Sequence, residues 1–177
     1  MIRLRFRASN AAYSWGLAKI MRSPEQISHV DIVMQDGRLL GAHIEPGVDL
    51  DGNPIESGVA IRNWDYGNPV RTMDVLYPAS PDRERAFHQT ACACIGLPFD
   101  WTALCYFLAP YGYRRERDKC KGFFCSELMA FCLDKAGVSP FHGGFDQEAV
   151  TPRDLMTPVC TIWEPVLTLS EGGFWCR

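Results

Sequence analysis

Two β-rich runs separated by an Asp-Gly pair constrain this chain more than any other feature. Ser28-His29-Val30-Asp31-Ile32-Val33-Met34 leads into Gln35-Asp36-Gly37, and Arg38-Leu39-Leu40-Gly41-Ala42-His43-Ile44 follows. Asp-Gly between β-forming runs signals a hairpin, because glycine accepts the positive φ of a tight reversal. Side chains alternate across a strand, so His29, Asp31 and Val33 share one face, and Gly41 and His43 share one face of the partner. The length of the turn decides whether those faces coincide. A two-residue turn at Asp36–Gly37, or a four-residue turn at Met34–Gly37, puts His29 and His43 on opposite faces. A three-residue turn, Gln35–Gly37 with Gly37 left-handed, sets them opposite each other on the same face.

The second informative run is Gly122-Phe123-Phe124-Cys125-Ser126-Glu127-Leu128. Phe124, Leu128, Phe131 and Cys132 recur at the helical period, and Gly137 and Pro140 stop the pattern. Cys125 therefore lies at or near a helix N-terminus, where unpaired N–H groups and the positive end of the dipole favour an anion. A thiol placed there ionises more readily, and the thiolate is the nucleophile. The other reading is a buried thiol packing as a small hydrophobe.

A cysteine nucleophile needs a base, and the chain has four histidines. His29 is the candidate base, with a second polar group holding its other ring nitrogen in the general triad manner. His43 is the candidate for that orienting group if the turn has three residues, with Glu45 and Asp31 next in line. His88 lies within a predicted helix and reads as a packing or surface residue. His142, in a Phe-His-Gly-Gly loop after the Cys125 helix, is a candidate substrate contact.

The order of these pieces resembles the permuted papain-like group, which includes YiiX-type and permuted NlpC/P60-type amidases and lecithin:retinol acyltransferase-like proteins. The similarity rests on Ser28–Val33, Gly96-Leu97-Pro98-Phe99-Asp100-Trp101, Phe124–Leu128, Ala136-Gly137-Val138 and Thr151-Pro152-Arg153-Asp154-Leu155. Ordinary NlpC/P60 enzymes carry the cysteine before the histidine; here His29 precedes Cys125. The resemblance implies a circularly permuted papain-like domain spanning 1–177, with an antiparallel sheet packed against helices. It also implies a thiol hydrolase acting on a cell-wall-type peptide or a lipid acyl bond, with an acyltransferase as the alternative. YiiX-type members usually place a glutamate on the second strand, whereas His43 stands there in this chain, closer to the acyltransferase-like pattern.

Composition narrows the context. An apolar content of 47% and a charged content of 22% suit a globular α+β protein, and 177 residues can bury a sizeable core. A net charge of −3 gives no global attraction to nucleic acid. Eight cysteines invite a disulfide reading, but Arg3, Arg5 and Arg7 interrupt any signal segment, and a chain of this length folds without staples. Reduced thiols in the cytoplasm are expected, with no transmembrane helix. No cofactor or metal is expected: Cys92 and Cys94 diverge on a helix, Cys120 and Cys125 lack a completing pair, and the acids of 45–58 do not match an EF-hand.

Along the remaining chain, Met1–Arg22 holds five cations and no acid, which reads as a solvated face or an anion-binding edge. A helix is expected over Asn10–Met21 and a turn-rich surface insertion over 45–58. Strands follow over Gly58–Trp64 and Arg71–Tyr77, then helices over Pro81–Ile95 and Trp101–Leu108, and a closing strand over Val159–Leu169. A cation-rich loop, Arg114–Lys121, runs into the cysteine helix. In this reading Cys125 forms a thioester, His29 moves the proton, His43 orients His29, and the Cys125 N–H serves the oxyanion. The alternative class is a non-catalytic interaction module, such as a phage- or prophage-associated protein that kept the fold.

Overall fold

The computed structural model describes residues 1–9, 12–20, 26–101, 122–141, 150–156 and 168–169. It is an α+β arrangement in which an eight-stranded sheet is flanked by helices. The strands are β1 (Ile2–Ser9), β2 (His29–Val33), β3 (Leu39–His43), β4 (Gly47–Val48), β5 (Pro54–Ile55), β6 (Gly58–Arg62), β7 (Pro69–Tyr77) and β8 (Thr168–Leu169). Their order is β5-β4-β6-β3-β2-β1-β7-β8, and every neighbouring pair is antiparallel. The helices bounded at both ends by described residues are α1 (Ala12–Ile20), α2 (Pro81–Ala93) and α3 (Cys125–Lys135).

The first strand corrects the sequence reading. The cations of residues 2–9 do not stand on a free surface segment: β1 lies inside the sheet, between β2 and β7. Its Ile2, Leu4, Phe6 and Ala8 are buried on one face. Arg3, Arg5 and Arg7 alternate with them, and their charges are met by acids from other strands. Asp74 of β7 accepts from Arg5 Nε at 2.6 Å and from Arg3 Nε at 3.0 Å, while Asp31 of β2 lies 3.5 Å from Arg7 Nη1.

Register fixes which residues form the core. Leu4 pairs with Ile32 and Val75, Phe6 with Val30, and Leu40 with Ile32 and Ile61, so these side chains share one face. Helix α3 packs on β2 and β3 and against α2, burying Leu128, Met129 and Leu133 together with Phe87 and Ala91. Each fully buried aliphatic or aromatic side chain is worth about 1.5–3 kcal/mol. Slipping β2 by one residue would exchange Val30 and Ile32 for His29 and Asp31 on that face, a cost far above any turn preference. The opposite face carries Arg5, Arg7, His29, Asp31, His43, Arg62 and Asp74, and it is polar yet largely buried.

Most expected elements fall where the pattern places them. Insertion 45–58 is more ordered than a plain loop: it contributes β4 and β5, and Asp49 accepts from Asp51 N and Asn53 N to close the turn between them. Gly58–Trp64 ends at Arg62, and Trp64 falls in the turn that follows. Of the expected helix Trp101–Leu108 only Trp101 is described, and of the expected strand Val159–Leu169 only Thr168–Leu169 (β8); the loop Arg114–Lys121 and His142 lie outside the described residues.

Candidate active site

The hairpin turn has three residues. Met34 N donates to Arg38 O at 2.9 Å, Gly37 N donates to Met34 O at 3.0 Å, and Gly37 has φ +83°. Ile32 pairs with Leu40 and Val33 with Leu39. Continuing that register places Asp31 opposite Gly41 and His29 opposite His43, on the polar face. The two imidazoles meet edge to face, with ring centroids 4.7 Å apart.

Cys125 is brought to this hairpin by the segment before α3. Residues 96–100 are laced to β6 and to residue 123: Gly96 N donates to Val59 O, Val59 N to Leu97 O, Phe123 N to Pro98 O and Asp100 N to Phe123 O. Gly122 has φ +151°, and a Cβ there would overlap the Pro98 carbonyl oxygen, so only glycine permits this close approach. Phe124 then caps α3 in extended conformation, and the Glu127 carboxylate accepts from Phe124 N at 3.3 Å. Cys125 is the first helical residue. The first turn-to-turn bond runs from Leu128 N to Phe124 O, so the Cys125 and Ser126 N–H groups precede the helical ladder. The Ser126 hydroxyl fastens this end to Val150 O at 2.5 Å.

Cys125 and His29 line the same cavity, and the Cys125 sulfur is near enough to the imidazole to favour its charged form. His29 Nε2 is 2.8 Å from Asp31 Oδ1 and 2.8 Å from the Tyr66 hydroxyl oxygen, so Nδ1 is the ring nitrogen that these two groups do not occupy. Tyr66 O–H donates to Asp31 at 2.8 Å to Oδ2 and 3.0 Å to Oδ1. The Arg7 guanidinium lies 4.0 Å over the Tyr66 ring and also donates to the Tyr66 carbonyl. A chain of polar groups thus runs from Arg7 through Asp31 and His29 to Cys125.

The orienting place on His29 Nε2 belongs to Asp31, not to His43, which corrects the sequence expectation. His43 sits at the expected level and face, but its Nδ1 accepts from Glu45 N at 3.0 Å, and its ring meets those of His29 and Tyr66 edge-on. Asp31 wins because it is two residues from His29 on the same strand face, and because the residue opposite it is glycine. Glu45, the other alternative, has its carboxylate beside Gly67.

Charge follows this geometry. Burial opposes the His29 imidazolium, but the Asp31 carboxylate and the Cys125 sulfur outweigh it and lift His29 to about 9. Burial also opposes the charge on Asp31; the His29 cation, then Arg7 and the Tyr66 hydroxyl, hold it well below the usual carboxylate range. Burial, reinforced by the neighbouring His29 charge, drives His43 down to about 2, so His43 is neutral.

A cavity of about 210 Å³ opens on these groups. Phe99, Trp101 and Phe124 form an aromatic wall beside Cys125, and Ser9, Ser14 and Ser28 contribute hydroxyls. The Ser14 and Ser28 hydroxyls hydrogen-bond each other. Arg62 braces the strands behind the site: its guanidinium donates to the carbonyls of Gly41, Glu45, Gly58 and Ala60.

Sequence reasoning brings Cys125 and His29 together with His43 nearby, and it misses Tyr66 and Arg7. His88 packs on Phe87 of α2, at a ring-centroid distance of 5.4 Å, and does not line the cavity. Among the described residues, no helix is long and apolar enough to cross a membrane. No protein-family model and no curated protein matches the chain, so the chemistry of the site is read from its geometry.

Proposed function

We propose that this protein is a cysteine hydrolase of the permuted papain-like kind, cleaving an amide or related acyl bond through a thioester on Cys125. The observation that carries this reading is the Cys125–His29–Asp31 chain at the floor of a cavity, with the sulfur at a helix N-terminus. The antiparallel sheet and the order of histidine hairpin before cysteine helix support the fold half of the proposal.

His29 already carries the proton that the thiol gives up, and the sulfur attacks the carbonyl carbon beside that imidazolium. The C–S bond forms, the carbonyl electron pair moves onto oxygen, and the Cys125 N–H points to the place where that charge develops. As the tetrahedral species collapses, the bond to the leaving group breaks and His29 returns the proton to it. Water then attacks the thioester with His29 as base, releasing the carboxylic acid and the thiol. Asp31 holds Nε2–H throughout, which fixes the ring orientation and supports its positive charge. The aromatic wall receives the acyl portion of the substrate, and a peptide or a lipid supplies the acyl bond.

A burst experiment tests this. Incubation with a p-nitrophenyl ester, acid quenching and peptide mass spectrometry should find the acyl group on the Cys125 sulfur. The adduct should be absent in Cys125→Ser and slow to form in His29→Ala. Acylation of Cys125 at no more than the level of Cys92 would remove the hydrolase reading and favour a non-catalytic module.

A further inference from the structure

The carboxylate that supports His29 occupies space that a side chain would normally fill. In an antiparallel pair, facing residues on one side of the sheet bring their Cβ atoms within about 5 Å of each other. Asp31 faces Gly41, and a Cβ built on Gly41 would overlap Asp31 Oδ1 and stand 3.2 Å from its Cγ. The Gly41 φ is not positive, so the backbone does not call for glycine at this position. What does is the Asp31 side chain, which lies across β3 rather than standing beside a partner. On its other side, the Tyr66 hydroxyl donates to both carboxylate oxygens.

We propose that Gly41 is a positioning residue for the reaction: its missing side chain is the seat of the Asp31 carboxylate, and that seat lets base and acid sit two residues apart on one strand. This rests on the hydrolase reading for its catalytic meaning, though the seat itself is a steric claim that stands apart from it. Any side chain at 41 displaces the carboxylate from His29 Nε2 and leaves the imidazolium of the Cys125–His29 pair unsupported. Because positions 31 and 41 face each other, a carboxylate carried on 41 and a glycine at 31 restore a similar arrangement from the opposite strand.

The test is a cycle of variants read by thermal melting and by the rate of Cys125 alkylation with iodoacetamide across pH 5–9. Gly41→Ala should slow alkylation at neutral pH by roughly tenfold or more, in the range of a lost acid–base partner, and displace its pH profile as Asp31→Gly does. Added to Asp31→Gly, it should slow the reaction no further and cost no additional melting temperature, since the clash is gone. If Gly41→Ala alone fails to fold yet folds in the Asp31→Gly background, the seat is established by that rescue. The exchanged variant, Asp31→Gly with Gly41→Asp, should alkylate faster than Asp31→Gly and regain the wild-type pH profile. An alanine at 41 that costs the same in both backgrounds, or an exchanged variant no faster than Asp31→Gly, overturns the proposal. A wild-type Cys125 no more reactive than the other thiols would instead defeat the hydrolase reading, with the melting comparison still deciding the seat.

Discussion

Asp31 Oδ1 lies 2.8 Å from His29 Nε2, two residues along the same strand, and His29 shares its cavity with Cys125. A carboxylate so placed holds the ring in one orientation and makes the charged form affordable in a buried setting. Asp31→Asn keeps the shape and removes the charge. Hydrolysis of any ester that acylates Cys125 should then fall by about 10²–10⁴-fold, the span typical of lost acid–base assistance, with folding retained. Unchanged turnover in Asp31→Asn would show that His29 needs no such support.

The charge on His29 has its own signature. With His29 lifted to about 9 by Asp31 and the Cys125 sulfur against the opposing effect of burial, the imidazolium persists beside the sulfur through neutral pH. An anionic alkylating agent is drawn to that charge and a neutral one is not. The ratio of iodoacetate to iodoacetamide rates at Cys125 should therefore be high at pH 6–8 and fall through about pH 9. A ratio that is flat across this range would mean the cation is absent.

Stability should be greatest near pH 6.5, where two opposing titrations meet. His29 binds its proton more tightly folded than unfolded, so its contribution is complete below about 6.5 and is lost as pH rises through about 9. His43 is held neutral by burial, with its folded value near 2, so the unfolded chain takes up a proton below about 6.5 that the folded chain refuses. Stability is lost on that side as pH falls. In urea titrations between pH 6.5 and 4, His43→Gln should flatten the fall by about one proton, or about 1.4 kcal/mol per pH unit. An unaltered slope would contradict a neutral buried His43.

Tyr66→Phe removes the hydroxyl that donates to both oxygens of the Asp31 carboxylate. A hydrogen bond to a buried charge is worth about 1.5–3 kcal/mol, and a loss of that size should appear in denaturant melts. Little or no further loss when Tyr66→Phe is added to Asp31→Gly would identify the carboxylate as the group left unsatisfied; equal losses in both backgrounds would place the effect in ring packing instead.

The sequence carries the hairpin and the cysteine helix clearly, because both rest on local rules. Turn parity alone ties a shared face for His29 and His43 to a three-residue turn, and Gly37 supplies it. The period of Phe124, Leu128 and Cys132, with Gly137 stopping it, places Cys125 at a helix start. Strand β1 is also written in the chain as strict alternation, Ile-Arg-Leu-Arg-Phe-Arg-Ala, yet its arginines argue for solvent. Their counter-charges are distant: Asp74 stands 71 residues from Arg3 in sequence. The choice between His43 and Asp31 depends on an absent side chain at Gly41, which has meaning only once register is known. Tyr66 leaves no sequence signal, because its reach to Asp31 spans 35 residues and depends on the fold of the 63–68 turn.

The central claim is that Cys125 is a nucleophile activated by His29. The most direct measurement is the site-resolved rate of iodoacetamide labelling of every cysteine in the native protein at pH 6.5, read by peptide mass spectrometry in wild type and His29→Ala. The account predicts that Cys125 labels at least about tenfold faster than Cys92, the more exposed thiol of the α2 end, and loses that advantage in His29→Ala. Labelling of Cys125 at the rate of Cys92 or below, unaffected by His29→Ala, would contradict it.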